Sequence, residues 1–224
     1  MILTGSEKEK LLEAIKNRNI EKVKSIIKRS TKNKKILKLN EKNKNGNYPL
    51  LWAIFWNNNE IVQLLIEYAN QHQIILELNE KDKYGDYPLL WAIFINNIEI
   101  VQLLIEYAIQ HQIILEFNEK NKYGDYPLYW AIFKDNIEIV QLLIEYANQH
   151  QIILKLNDKN KNGWYPLLWA ISNKYIEIVK LLIDYALQHQ INLEYNKNDI
   201  ENNTEIKNLL QNYEKEKGMK KVNK

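Results

Sequence analysis

Cysteine is absent from the 224-residue chain, and with it go disulfides, thiolate metal sites and cysteine nucleophiles. Arginine occurs only at Arg18 and Arg29, so the bidentate phosphate and base contacts that nucleic-acid binders usually build from arginine have little to draw on. The formal net charge of +3 comes from scattered lysines. The basic stretches, Lys32 to Lys35 and Lys215 to Lys224, lie outside the repeated core and read as solvated segments. No apolar run approaches the ~18 residues that span a bilayer. Residues 1–8 lack the apolar stretch of a secretory signal, so a soluble, intracellular chain is expected, cytoplasmic before nuclear. No Gly-x-x-x-x-Gly-Lys, His-Glu-x-x-His or Gly-x-Ser-x-Gly motif is present. Glycine and proline number only 6 and 4, and four of each recur at fixed intervals.

Those intervals dominate the sequence. Tyr48-Pro49-Leu50-Leu51-Trp52-Ala53-Ile54 returns in near-identical form at Tyr87, Tyr126 and Tyr165, at one constant spacing. Glu60-Ile61-Val62-Gln63-Leu64-Leu65-Ile66-Glu67-Tyr68-Ala69 keeps the same register from Glu99, Glu138 and Glu177. Proline suits a first helical turn, where its missing N–H has no partner to lose. Leu50, Ala53 and Ile54 then give one buried stripe. Asn57-Asn58, Asn96-Asn97 and Asp135-Asn136 break the pattern with residues that tolerate left-handed backbone. A second helix follows, with Ile61, Leu64, Leu65, Tyr68 and Ala69 on a helical period. Next come Ile74-Ile75-Leu76 and a polar turn carrying Gly46, Gly85, Gly124 or Gly163. One such helix pair cannot bury its apolar face alone, so copies must stack.

The pattern assigns residues 1–224 to a single all-α helical repeat domain. Residues 7–47 form a half-polar N-terminal capping repeat, since Ala14 and Val23 sit one full repeat before Ala53 and Val62. Full repeats occupy 48–86, 87–125, 126–164 and 165–203. A C-terminal capping helix over 204–217 precedes a basic tail, 218–224.

Gly85-Asp86-Tyr87-Pro88-Leu89-Leu90-Trp91-Ala92 and Ile100-Val101-Gln102-Leu103-Leu104 resemble the ankyrin repeat, with its Gly-x-Thr-Pro-Leu-His turn-and-helix and Ile-Val-x-x-Leu-Leu second helix. The resemblance covers residues 7–215 and implies an ankyrin-type helical repeat solenoid. Three departures stand out. Tyr87 replaces the threonine whose hydroxyl caps the first helix. Leu90 replaces the histidine that links repeats. Each unit is also longer than the family's, which has about 33 residues. The surplus after Ala69 predicts a second helix extended by more than a turn through Asn70-Gln71-His72-Gln73.

The resemblance further implies a non-enzymatic scaffold that holds another protein, as a monomer, on its concave face and inter-repeat turns. Positions that hold a fold should repeat, as Trp52, Trp91, Trp130 and Trp169 do, whereas positions that read a partner are free to vary. Trp56, Ile95, Lys134 and Asn173 vary completely. Phe55, Trp56, Phe94, Ile95, Phe133 and Lys134 on the first helices, with Tyr84, Asp86, Tyr123, Asp125 and Trp164 in the turns, are the candidate partner-binding residues. For Phe55, Phe94 and Phe133, burial between repeats is the open alternative to an apolar strip. A structural spacer or self-associating unit is a second reading. A weaker one is an anionic-ligand or nucleic-acid binder using Lys44, Lys83, Lys122 and Lys161. His72, His111, His150 and His189 fall one per repeat, roughly 8–10 Å apart for packed helices, which makes a ladder and not a metal cluster. No catalytic residue, cofactor or metal is expected.

Overall fold

A computed structural model describes residues 7–43, 46–201 and 203–222, the last four of these as backbone only. Residues 1–6, Lys44, Asn45 and the end of the basic tail lie outside the described residues, and so do the readings made on them. The described chain is all-α, with twelve helices and no strand, in two compact units of residues 1–116 and 117–224.

In the first unit, α1 (Glu7–Lys16), α3 (Pro49–Phe55) and α5 (Pro88–Phe94) pack in one row. The partner row is α2 (Ile20–Lys32), α4 (Asn59–Gln71) and α6 (Ile98–Gln110). The second unit pairs α7 (Pro127–Phe133) with α8 (Ile137–Gln149) and α9 (Pro166–Asn173) with α10 (Ile176–His189). Its end is closed by α11 (Lys197–Ile200) against α9 and by α12 (Thr204–Val222) against α10. The last helix runs past residue 217 because nothing strong enough stops it. Gly218 alone weakens the pattern, and Lys215, Glu216, Lys217, Met219 and Lys220 around it are all good helix formers.

Each helix pair follows from local chemistry. Proline holds the preceding tyrosine in extended backbone, as at Tyr48 with φ −132° and ψ 167°, which is the conformation a helix N-cap needs. The chain then takes one left-handed residue, Asn57, Asn96 or Asp135. The next residue is asparagine, and its side chain caps the second helix: Asn58 accepts from the Ile61 N–H at 3.0 Å and Asn97 from the Ile100 N–H at 3.0 Å. Short helices such as Pro49–Phe55 do not persist alone. Leu50, Ala53 and Ile54 bury completely, as do Ile61, Val62 and Leu65 of the adjoining helix, and this burial sustains them.

The second helix is extended less than the sequence suggests. It ends at Gln71, with His72 as C-cap and Gln73 left-handed at φ 55°. The remaining surplus residues run extended, Ile75 facing solvent and Leu76 facing the core. Their backbone groups need partners that a helix would have supplied internally, and tyrosines supply them. Tyr107 reaches back from α6, accepting from the Leu76 N–H at 3.0 Å and donating to the Ile74 carbonyl at 3.1 Å. Tyr185 does the same for Leu154 and Ile152, and Tyr213 of α12 for Leu193 and Ile191.

The tyrosine that stands for the capping threonine makes no cap hydrogen bond. Its ring is buried, and its hydroxyl donates forward, Tyr48 to the Glu77 carbonyl at 2.8 Å and Tyr126 to the Lys155 carbonyl at 2.9 Å. The polar link lost with the family histidine is thus made elsewhere. His111 reaches Asn70 Oδ1 at 2.8 Å while its ring lies on Tyr107, and His189 pairs likewise with Asn148 at 2.7 Å. Among the described residues no group of three or more metal-ligating side chains comes together.

Replacing Tyr107 by phenylalanine leaves the Leu76 N–H and the Ile74 carbonyl without their partner in a buried place. A loss of about 1–3 kcal/mol is expected, read as a lower urea midpoint with unchanged helical circular dichroism. Alkali should act on the same class of group. Burial, reinforced by neighbouring carboxylates, raises Tyr48 and Tyr126 well above the ordinary phenol value and Tyr129 to about 12. The folded state therefore favours the neutral phenol. Stability is fully present below the unfolded value near 10 and declines as pH rises above it. Above that pH the urea midpoint should fall while phenolate absorbance rises in step with unfolding.

Candidate functional site

The turns that present Tyr84, Tyr123 and Trp164 are built around one side chain. Asp82 Oδ1 accepts from the Tyr84 N–H at 2.7 Å and the Asp86 N–H at 3.0 Å, and the Gly85 N–H donates to the Asp82 carbonyl. Asn121 holds the Tyr123 and Asp125 amides, and Asn160 those of Asn162 and Trp164, in the same way. Such Asx turns need left-handed backbone at the glycine. Gly124 has φ +82°, and a Cβ there would stand 3.0 Å from Asn160 Cα and Lys161 N. The Lys161 N–H donates across to the Tyr123 carbonyl at 3.0 Å. Asx-x-x-Gly recurs at Asn43, Asp82, Asn121 and Asn160, a signal the repeat pattern carried but the sequence reading passed over.

The turn residues divide. Tyr84 and Tyr123 are 42% and 57% exposed, and Trp164 is half-buried. Asp86 and Asp125, expected to face outward, are buried. The Asp125 carboxylate turns inward to accept from Asn160 Nδ2 at 2.8 Å, and burial raises its pKa against that hydrogen bond. Neither acid offers its charge to solvent, and Asp125 ties its turn to the next. Of the turn lysines, Lys83 lies over the Tyr84 ring at 4.7 Å, Lys122 and Lys161 are exposed, and Lys44 is outside the described residues.

On the first helices the rings form chains. In the first unit Phe55 meets Trp56 and Trp91 edge-on at 5.1 and 4.9 Å, and Trp91 meets Phe94 at 5.3 Å. Phe55 and Phe94 are 42% and 37% exposed. Trp56 and Ile95 are half-buried, the Trp56 indole lying beneath Arg18 at 5.8 Å. In the second unit Phe133 stands 4.9 Å from Trp130 and stacks on Trp169 at 4.7 Å, and Trp169 meets Trp164 of the turn at 4.9 Å. Phe133 and Lys134 are half-buried, and Lys134 Nζ lies 5.7 Å from the Trp130 ring centre.

The invariant tryptophans therefore belong to this surface as much as the variable positions do. Trp52, Trp91, Trp130 and Trp169 are all half-buried, and strict repetition concealed their exposure. A second apolar series was also missed: Ile36, Ile75, Ile114 and Ile153 are each more than half exposed. Such surfaces offer apolar area with few fixed charges, suited to adsorbing another macromolecule.

Helix pairs joined by left-handed turns, with exposed aromatic first helices and glycine turns, define a helical repeat protein. Comparison with protein families gives the particular kind. The model for ankyrin repeats (3 copies) matches residues 11–114 and again 108–199, and the chain belongs to the ankyrin repeat family. Among curated proteins, none matches it significantly. Ankyrin repeats generally mediate protein–protein interaction and act as non-enzymatic binding scaffolds. Among the described residues no helix is long and apolar enough to cross a membrane.

Two glycines separate backbone strain from steric contact. Gly163 has φ +83° and open space where a Cβ would stand, whereas at Gly124 a Cβ would meet backbone at 3.0 Å. Both alanine variants bear the left-handed cost of about 1–2 kcal/mol. Gly124→Ala should lose more than Gly163→Ala in urea unfolding, and only the former should speed hydrogen exchange at Lys161.

Proposed function

We propose that the chain is a binding scaffold that holds a partner protein on the aromatic rings of its first helices and the tyrosines of its turns. The observation that carries this reading is the ring chain Trp56–Phe55–Trp91–Phe94, which leaves Phe55 and Phe94 more than a third exposed. Contiguous exposed apolar surface marks interaction sites, and rigid aromatic anchors dominate interface energetics. The rings brace one another edge-on, so little side-chain freedom is lost when a partner covers them. Tyr84 adds a hydroxyl-bearing ring, as does Tyr123 in the second unit. The lysine reading has less support, because Lys83 is already engaged with the Tyr84 ring.

The test is quantitative capture of partner proteins by the full chain and by a Phe55→Ser, Phe94→Ser variant of equal circular dichroism. Loss of two anchors should weaken a genuine partner by about 100-fold or more. Retention of the same proteins by both forms would move the site off the first helices. Retention that falls steeply with salt in both would favour the anionic-ligand reading.

A further inference from the structure

The aromatic surface of the second unit carries an excess of positive charge. Lys134, at the end of α7, lies 5.7 Å from the Trp130 ring centre and 6.0 Å from that of Phe133. Lys122 precedes Tyr123 in one turn, Lys161 lies shortly before Trp164 in the next, and Lys174 follows the end of α9. These last three lysines face solvent, and among the described residues none of their side chains pairs with a carboxylate. Ring contacts join the positions into one surface. Phe133, beneath Lys134, stacks on Trp169, and Trp169 meets Trp164 of the turn that carries Lys161.

The acids of this surface do not offset those lysines. Asp125 is buried and accepts from Asn160 Nδ2 at 2.8 Å. The bases of the two turns are balanced, with Glu119 and Asp158 against Lys120 and Lys159, and Lys120 pairs with Asp158 at 3.0 Å. Asp135, next to Lys134, is exposed. Asp199 and Glu201 are exposed too, but they fall one repeat beyond Asn160 and Asn162 and lie at the far edge, on α11 and its C-cap. The positive charge is therefore concentrated around Tyr123, Phe133 and Trp164.

We propose that the second unit takes an acidic segment of a partner protein, with apolar side chains seated against its rings and neighbouring carboxylates on Lys122, Lys134 and Lys161. This inference rests on the scaffold reading above and adds the chemistry of the partner. Trp164 and Trp169 meet at 83°, and an aliphatic or aromatic side chain packs against such an edge-to-face pair. The lysine stems are long and flexible, so their ammonium groups reach carboxylates on either side of a seated ring. Opposite charge steers an acidic partner to the surface and repels a basic one. A single-stranded nucleic acid fits less well, because base stacking needs free ring faces. Here Phe133 and Trp169 lie face to face at 4.7 Å, and Lys134 lies over the Phe133 ring. Arginine occurs only at Arg18 and Arg29, outside this unit, so no guanidinium fork is present to hold phosphate.

The test selects a random peptide library displayed on phage against the full chain, then follows the best peptide by stopped-flow tryptophan fluorescence. The selected peptides are expected to place Asp or Glu beside Phe, Leu or Trp. Lys122→Gln with Lys161→Gln should slow association about 10-fold and leave dissociation nearly unchanged, as charges at the rim of an interface do. Phe133→Ser should instead speed dissociation. If that variant loses its circular dichroism, the lysine pair decides alone, because both side chains are exposed. Selection of neutral or basic peptides, or of none, would overturn the proposal. Neutral peptides that are lost with Phe133→Ser would leave the aromatic scaffold standing without the charge preference. Unchanged association in the lysine variant would overturn the proposal as well, and so would acidic peptides held equally well by folded Phe133→Ser. Tighter binding of a single-stranded oligothymidylate than of the selected peptide would assign the surface to nucleic acid instead.

Discussion

Backbone satisfaction of the surplus residues governs this molecule. A repeat longer than the family's own must dispose of several additional peptide groups, and an unpaired buried peptide group costs as much as a lost hydrogen bond. The chain answers with phenol hydroxyls delivered from a neighbouring helix and with asparagine amides delivered from a neighbouring turn. Tyr107 on Leu76 and Asn40 on Ile75 lie on opposite edges of one segment. Neighbouring repeats are therefore bound by directed polar contacts as well as by apolar burial, and the loss of the family's linking histidine is compensated.

The same economy shapes the surface. Because the turn acids Asp86 and Asp125 are drawn inward, the turns present rings and a few lysines in place of carboxylates. The first helices are short enough that their last residues, Phe55 and Phe94, stand at the rim and remain exposed. Their rings rest on the repeating tryptophans, so the apolar area is stiff. That combination suits recognition of a protein surface.

The repeat register, the start of each first helix and the inter-helix turns were legible in the sequence. Proline after tyrosine and paired asparagines at Asn57-Asn58 act through local backbone sterics, which need no tertiary context. The end of the second helix was not. Asn70-Gln71-His72-Gln73 contains no breaker, yet the helix stops at Gln71, because the residues beyond it are recruited by Tyr107 and its equivalents. The inward course of Asp125 was equally hidden, since its partner Asn160 lies in the following turn.

By itself the sequence determined an all-α ankyrin-type repeat and its register, since periodic burial and turn chemistry are local or nearly local properties. Only the tertiary structure decided which repeated residues face solvent. Trp91 and Tyr87 recur with equal regularity, but the Trp91 ring is half-exposed in the aromatic row while the Tyr87 ring is fully buried and its hydroxyl donates to the Glu116 carbonyl. Repetition records that a position is constrained; whether core packing or surface presentation imposes the constraint depends on which neighbouring repeat covers it, and that is a property of the stack.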